Sequence, residues 1–349
     1  MMRSDKKESP EYLRMSLAAA MTLGFKKGLF YRDAKLYCIN LLLTYEDGCL
    51  AKCAYCGLSG NRPGTYGEKS FIRVNWPTYS LRDIMEGISH RRHRVKRVCI
   101  SMITRKRAVT DTIDLCNRLR KEFDVPVSIL VSPTILKCDD LYTFKKAGAD
   151  KIGVAVDLAT PLLFDLFRGK GVGGPHQWER YWECLKEGID VFGEGNAGTH
   201  FMAGMGETEK EMSVAIQKSR NMGGRTHLFS FFPETGSLLE KRSIPPMEQY
   251  RRIQLARYII DEKLSNENRF CYNHLGQIQN FGMTEEAINQ IIENREAFRT
   301  SGCSGYDGEV ACNRPFANSR PGPDIRNYPF IPDEEDILRI KCQMGRISN

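Results

Sequence analysis

The sequence predicts an α/β protein, a full or partial (β/α) barrel of the TIM type. Short apolar runs of strand length alternate with segments of helical periodicity, and no second composition regime interrupts them. A loop carrying three cysteines follows the first such run, where a barrel's first βα loop belongs, and such loops build the active site. The expected organisation is an N-terminal helical extension (1–35), the barrel (36–299) and a C-terminal tail (300–349) laid over the barrel mouth.

In chain order, Tyr12 to Phe30 places apolar residues at helical spacing, as one or two short helices. Leu36–Thr44 is the first strand, and the cysteine loop closes with Gly57-Leu58-Ser59-Gly60. Ser80 caps the next helix, with Asp83 at the capping-box position. Strands are then expected at 95–101, 127–131, 151–157, within 189–205, and at 226–232 and 269–273. Helices are expected at 109–123, 138–147, 161–168, 177–187, 209–221, 247–263 and 284–299. From residue 300 onward Gly, Pro, Asn and Ser dominate until a helical stretch at 333–342.

A chain of 349 residues buries enough surface to fold without disulfides, so its twelve cysteines need chemistry or packing to explain them. No apolar run approaches a membrane span, and the first ten residues lack the apolar core of a signal peptide. The expectation is a cytoplasmic, reducing setting with no membrane partner. The net charge of +8 includes basic runs at 90–97 and 105–107, which suit an acidic partner or solvated helix ends equally.

The decisive stretch is Cys49-Leu50-Ala51-Lys52-Cys53-Ala54-Tyr55-Cys56. Three thiols at C-x3-C-x2-C spacing bind three irons of a cubane and leave the fourth open. Zinc also takes thiolates, but a structural zinc site wants four protein ligands and no second C-x2-C follows. The stretch resembles the signature of the radical S-adenosylmethionine (SAM) superfamily. That resemblance implies a 4Fe-4S cluster on Cys49, Cys53 and Cys56, with SAM chelated to the open iron and Tyr55 near its adenine. It also implies an external electron donor of ferredoxin or flavodoxin type. Gly198-Thr199-His200-Phe201-Met202-Ala203-Gly204-Met205-Gly206 resembles the fifth-strand segment of these barrels, where Gly204 and Gly206 would let backbone approach the adenine. Asp157, ending a strand, matches an aspartate that biotin synthase places on the ribose, although Ala155 stands where its asparagine would be. Cys99 matches one ligand of that enzyme's auxiliary cluster, but Ser128 and Gly198 occupy the other two positions, and Cys99 reads as a packing residue. Cys38, Cys116, Cys138 and Cys184 read the same way.

The tail holds Cys303 and Cys312 in a glycine-rich loop, where thiols are usually ligands. Two thiols do not hold a cubane. Cys271, ending the last candidate strand, is the favoured third ligand of an auxiliary cluster, with Cys342 its rival and Ser319 or exogenous sulfur as a fourth. Behind a biotin-synthase-like barrel, the stretch Cys303-Ser304-Gly305-Tyr306 … Ala311-Cys312-Asn313-Arg314-Pro315-Phe316-Ala317-Asn318-Ser319-Arg320-Pro321-Gly322 resembles the two-component lipoyl synthases of archaea and bacteria. The resemblance implies sulfur insertion into an octanoyl chain on a lipoyl carrier protein or domain, with a homologous partner subunit. A SAM-derived 5′-deoxyadenosyl radical would open the C–H bond, and the auxiliary cluster would supply sulfur. The basic runs with Arg314, Arg320 and Arg326 would steer an acidic carrier. His200, His227 and His274 are open to packing or to a hydrogen bond with SAM or substrate. Two alternatives stay open: the same chemistry on a free small molecule, and a zinc-stabilised module that binds nucleic acid.

Overall fold

The structure is a computed structural model describing residues 6–314 and 322–344. Its centre is an eight-stranded sheet. Parallel strands β2 (Cys38–Leu43), β4 (Arg97–Ser101), β5 (Val127–Val131), β6 (Ala149–Asp157), β7 (Ala197–Ala203) and β8 (Arg225–Ser230) lie side by side in that order. Helices α2 (Leu81–His90), α3 (Ala108–Glu122), α4 (Asp140–Ala147), α5 (Pro161–Phe167), α6 (Trp178–Phe192), α7 (Glu209–Asn221) and α8 (Met247–Asp261) alternate with them. Strand β1 (Tyr12–Met15) adds antiparallel to β2, and β3 (Thr78–Ser80) adds antiparallel to β1. The sheet therefore ends at β3 and β8 without joining them: a partial barrel, as the alternation predicted. Among the described residues no helix is long and apolar enough to cross a membrane.

Alternation along each strand sorts the chemistry. Outward residues such as Ile39, Leu41, Val98, Ile100, Ile152, Val154 and Phe201 are buried in the main apolar core. The cavities of the interior are lined by residues of the other parity: Cys99 and Ser101, Ser128 and Leu130, Gly153, Ala155 and Asp157, His200 and Met202, His227 and Phe229. These cavities set polar side chains such as Ser101, Ser128, Asp157 and His227 among apolar ones.

Three expectations need correction. The N-terminal extension is not simply helical: Tyr12–Met15 pairs into the sheet, and only Leu17–Thr22 is α-helical, capped by Ser16. β-branched or aromatic content at 12–15 is slight, so the helical spacing misled; pairing with the buried edge of β2 decided the outcome. The candidate strand at 269–273 does not join the barrel. Its Cys271–Tyr272 core is β9, paired antiparallel with β10 (Ile278–Asn280) in a separate two-stranded sheet. Finally, the described tail is not simply laid over the mouth: Arg326 reaches Ser230 and Phe232 at the carboxyl end of β8, but the stretch before residue 315 enters from the other end. Residues 300–314 run across the amino-terminal end of the strands: Ser301 Oγ accepts from the Leu228 amide at 3.0 Å, Arg97 Nε donates to the Ser304 carbonyl, and Lys151 Nζ reaches Ser304 Oγ at 3.1 Å. The C-terminal helix Glu334–Met344 packs against α8.

Candidate active site

The cysteine loop leaves β2 at the carboxyl end of the strands and is pinned on several sides. Leu50 N donates to Thr104 O at 3.2 Å, Ala54 N to Phe167 O at 2.8 Å, and Gly60 N to Ala51 O at 2.8 Å. Gly57 sits so close to the Ser70 carbonyl that no β-carbon would fit. Cys49, Cys53 and Cys56 line one cavity of about 210 Å³, and no fourth cysteine lines it. Among the described residues, no three His, Cys, Asp or Glu side chains gather as ligands of a single metal ion. Burial pushes the Cys53 thiol up to about 12 and Cys56 well above the usual range. Metal binding at these sulfurs must therefore displace protons. Three thiols on one wall of an apolar, half-open cavity fit a four-iron cluster with a vacant position facing the cavity.

Opposite the thiols, Tyr55 Oη donates to Asp157 Oδ2 at 2.6 Å. Both line the cavity. Asp157 holds φ at 66°, a left-handed conformation that costs a non-glycine residue energy and clusters at functional sites. Arg168, which sequence reasoning passed over, locks this corner. Its Nη1 serves Asp157 Oδ2, the Ala155 carbonyl and Tyr55 Oη, and its Nη2 donates to Tyr181 Oη at 3.0 Å. His176 lies behind it, 2.6 Å from Thr134 Oγ1 and 3.0 Å from Tyr181 Oη. Burial, with the charge of Arg168, presses the imidazole down to about 2, so it is neutral. Gly204 and Gly206 do not line the cavity. Gly204 packs against Pro245, and Gly204 N and Met205 N donate to the Glu207 carboxylate at 2.7 and 2.9 Å. His200 and Met202 face the cavity from β7 instead.

A second set of thiols meets deeper in the barrel. Cys38, Cys99 and Cys312 form one buried cluster, with Cys303 packed against it. The tail brings its two by a tight hairpin: Cys312 N and Ala311 N both donate to Cys303 O, at 3.1 and 3.0 Å. Asn40 Nδ2 lies 3.2 Å from Cys38 Sγ and 3.9 Å from Cys312 Sγ. The hydrogen bond from Cys38 lowers Cys312 to about 6, while burial holds Cys38 well above the usual range and Cys99 at about 12. Burial alone would raise Cys303, but the hydrogen bond with His227 outweighs it and leaves the thiol lowered. Cys271 is not with them: it is exposed on the separate hairpin, and Cys342 is exposed on the C-terminal helix. Cys38 and Cys99, expected as packing, take their place; Ser319 lies outside the described residues. The docking role expected of the tail arginines also fails where it is visible. Arg314 is 3% and Arg326 6% exposed, and Arg320 lies outside the described residues.

The thiol chamber and the upper cavity share one wall, made of Leu130, His200, Phe229 and Arg314. Arg314 Nη1 donates to Ser101 Oγ at 3.1 Å, while its Nε and Nη2 are buried with no hydrogen-bond partner among the described residues.

The family model for the radical SAM superfamily matches residues 44–218. The chain belongs to the radical SAM superfamily. A crystal structure of HydG, a maturase of the [FeFe]-hydrogenase, matches with a TM-score of 0.51 and 11% identity over 70% of this chain and 53% of that one. The HydG maturase from Carboxydothermus hydrogenoformans matches with a TM-score of 0.49 and 13% identity, over 70% of this chain and 56% of that one. Coproporphyrinogen III oxidase (HemN) from Escherichia coli gives 0.40 and 15%, over 74% and 58%. The chain thus spans little more than half the length of these structures, and the likeness is one of fold. No curated protein matches. Superfamily membership implies a 4Fe-4S cluster and SAM, and no support goes to the zinc-module alternative.

Proposed function

We propose that the protein is a sulfurtransferase that inserts sulfur into an unactivated C–H bond of an octanoyl chain held on a lipoyl carrier protein or domain, acting with a homologous partner subunit. The sulfur would come from an auxiliary iron–sulfur cluster on Cys38, Cys99, Cys303 and Cys312. One observation carries the reading: four thiols from distant parts of the chain meet inside the barrel, a single layer of side chains below the SAM cavity. Packing alone has no use for four converging thiols beside a guanidinium with two unsatisfied nitrogens among the described residues.

SAM, bound to the cluster on Cys49, Cys53 and Cys56, supplies the radical that opens the C–H bond. The chain's own residues orient and exclude. Arg168 holds Tyr55 and Asp157, which would face the nucleoside of SAM, Leu130 and Phe229 would give the alkyl chain an apolar passage, and neutral His176 offers no acidic proton. No general acid or base is needed for hydrogen-atom abstraction.

Anaerobic iron and acid-labile sulfide analysis tests the second centre: about eight irons per chain are expected if both sites hold cubanes. About four would overturn the auxiliary cluster. Turnover with an octanoylated carrier peptide, compared with free acids, then tests the substrate. The enclosed position of the four thiols favours a second reading, the same chemistry on a free small molecule, and preference for a free acid would install it.

A further inference from the structure

The thiol chamber has a second opening. A cleft of about 200 Å³ lies at the amino-terminal end of the strands, and His227, Ser301, Gly302 and Cys303 line both it and the chamber. Cavity, chamber and cleft therefore stand in line through the barrel, the SAM cavity at one end and the cleft at the other. Of the four thiols only Cys303 is half-buried; Cys38, Cys99 and Cys312 are buried. Approach from the amino-terminal face thus meets Cys303 first.

The cleft is lined by four cations, Lys151, Arg225, Arg257 and Arg299, against three carboxylates, Asp261, Glu262 and Glu296. Arg225 and Arg299 are neutralised by Glu262 and Glu296, at 2.9 and 2.8 Å. Lys151 and Arg257 have no such partner among the described residues. Lys151 Nζ has only the Ser304 hydroxyl, and Arg257, 7% exposed, gives Nη2 to the Ala297 carbonyl at 2.9 Å and leaves Nε unpartnered. A buried guanidinium nitrogen without an acceptor is a standing demand for one. Asp261 counters the charge of Arg257 without a direct ion pair among the described residues; burial raises it to about 6, its Oδ2 accepts from Thr226 N at 3.2 Å and its Oδ1 has no hydrogen-bond partner among them.

We infer that this cleft is the port through which hydrosulfide reaches the thiol chamber while SAM and substrate occupy the opposite cavity. The inference rests on the reading that the chamber's sulfide is spent in turnover, since a spent sulfide must be replaced before the next cycle. Replacement through the mouth must wait until that cavity empties, whereas the cleft lies at the other end of the strands. Nothing is oxidised or reduced in the cleft: it passes an anion inward, and no bond is made there.

The test is exchange of isotopically labelled sulfide into the anaerobic holoenzyme, read by mass spectrometry of acid-released sulfide, with saturating SAM present. The expected result is that about half of the labile sulfide, the share of one of two cubanes, still exchanges under SAM. Lys151→Glu should slow that half by about tenfold, the scale of electrostatic effects on association, and Lys151→Arg should restore it. If SAM blocks all exchange, or if Lys151→Glu leaves the rate unchanged, the port is wrong. A single exchanging pool with about four irons would instead sink the auxiliary cluster itself. In that event modification of Cys303 with SAM bound, located by peptide mass, still judges the port. A sulfonate-bearing methanethiosulfonate should label it faster than an uncharged one, and no labelling overturns the inference.

Discussion

At the scale of single residues, Arg168 organises the SAM cavity. Its planar fork reaches Asp157, Tyr55 and Tyr181 at once, a geometry that one ammonium cannot reproduce. Arg168→Lys should therefore weaken SAM binding by about tenfold or more, roughly 1.4 kcal/mol, while the iron content stays at its wild-type level. Equilibrium SAM binding and an iron assay check both halves. His176 makes a separate prediction. Unfolded, it takes a proton near pH 6.5; folded, it stays neutral to about 2 because burial opposes the charge. The unfolded state thus binds the extra proton, so stability from this site is complete above that pH and is lost as pH falls through it. Between pH 7.5 and 5.5 the wild type should lose about 1.4 kcal/mol relative to His176→Gln. Urea midpoints at the two pH values measure the difference; parallel curves would show that the ring is protonated in the fold. Nothing in the sequence marked Arg168 or His176. Both act through partners distant along the chain, and an arginine just past a short helix looks like any other.

At the scale of elements, what was legible followed from range. The C-x3-C-x2-C loop is local, and its spacing alone states its chemistry. Helix α7, with Thr208 and Glu211 in a full capping box, and strand Val127–Val131 match the expected bounds because cap and apolar run are local too. The thiol chamber drew on β2, β4 and a hairpin some two hundred residues later, and Cys38 and Cys99 looked like Cys116 and Cys184, which do pack in the core. One signal was available. Cys38 and Cys99 share strand parity with Asn40 and Ser101, a polar face that a fully packed parallel strand has no reason to carry. Cys271 misled because a strand was expected to join the barrel, and two residues of it formed their own hairpin. The hairpin joining Cys303 to Cys312 is itself testable. Gly302 stands against the Cys312 carbonyl with no space for a β-carbon. Gly302→Ala should pry the two strands apart and lower iron from about eight to about four per chain, sparing the cluster on Cys49, Cys53 and Cys56. Retention of all the iron would mean that the hairpin does not position the ligands.

At the scale of the whole molecule, the described tail packs against both ends of the barrel strands. Arg97 clamps Asp150 with two hydrogen bonds of 2.6 Å while holding the Ser304 carbonyl, and Arg251 donates to the carbonyls of Ile325 and Arg326 at 2.7 and 2.9 Å. Protein contacts such as that of Arg97 with the Ser304 carbonyl hold residues 300–314 under the strands, and Arg314 is left inside. Its guanidinium lies 5.2 and 5.4 Å from the Phe71 and Trp76 ring centres, contacts that offset only part of the cost of burying a cation. Among the described residues no carboxylate pairs with it. A cluster on four thiolates carries net negative charge, so loading the chamber would supply the missing counter-charge, and binding to the folded state would appear as stability. Two melting temperatures follow from one buried charge. The wild-type apoprotein should melt several degrees below the holoprotein. Arg314→Met, which keeps the volume and removes the charge, should raise the apo melting temperature and shrink the gain on reconstitution, the reverse of what loss of an ordinary structural arginine does. Differential scanning calorimetry of the apo and reconstituted forms under argon decides it: an apo form destabilised by the substitution would mean that Arg314 is already paired, and that the chamber awaits no anion.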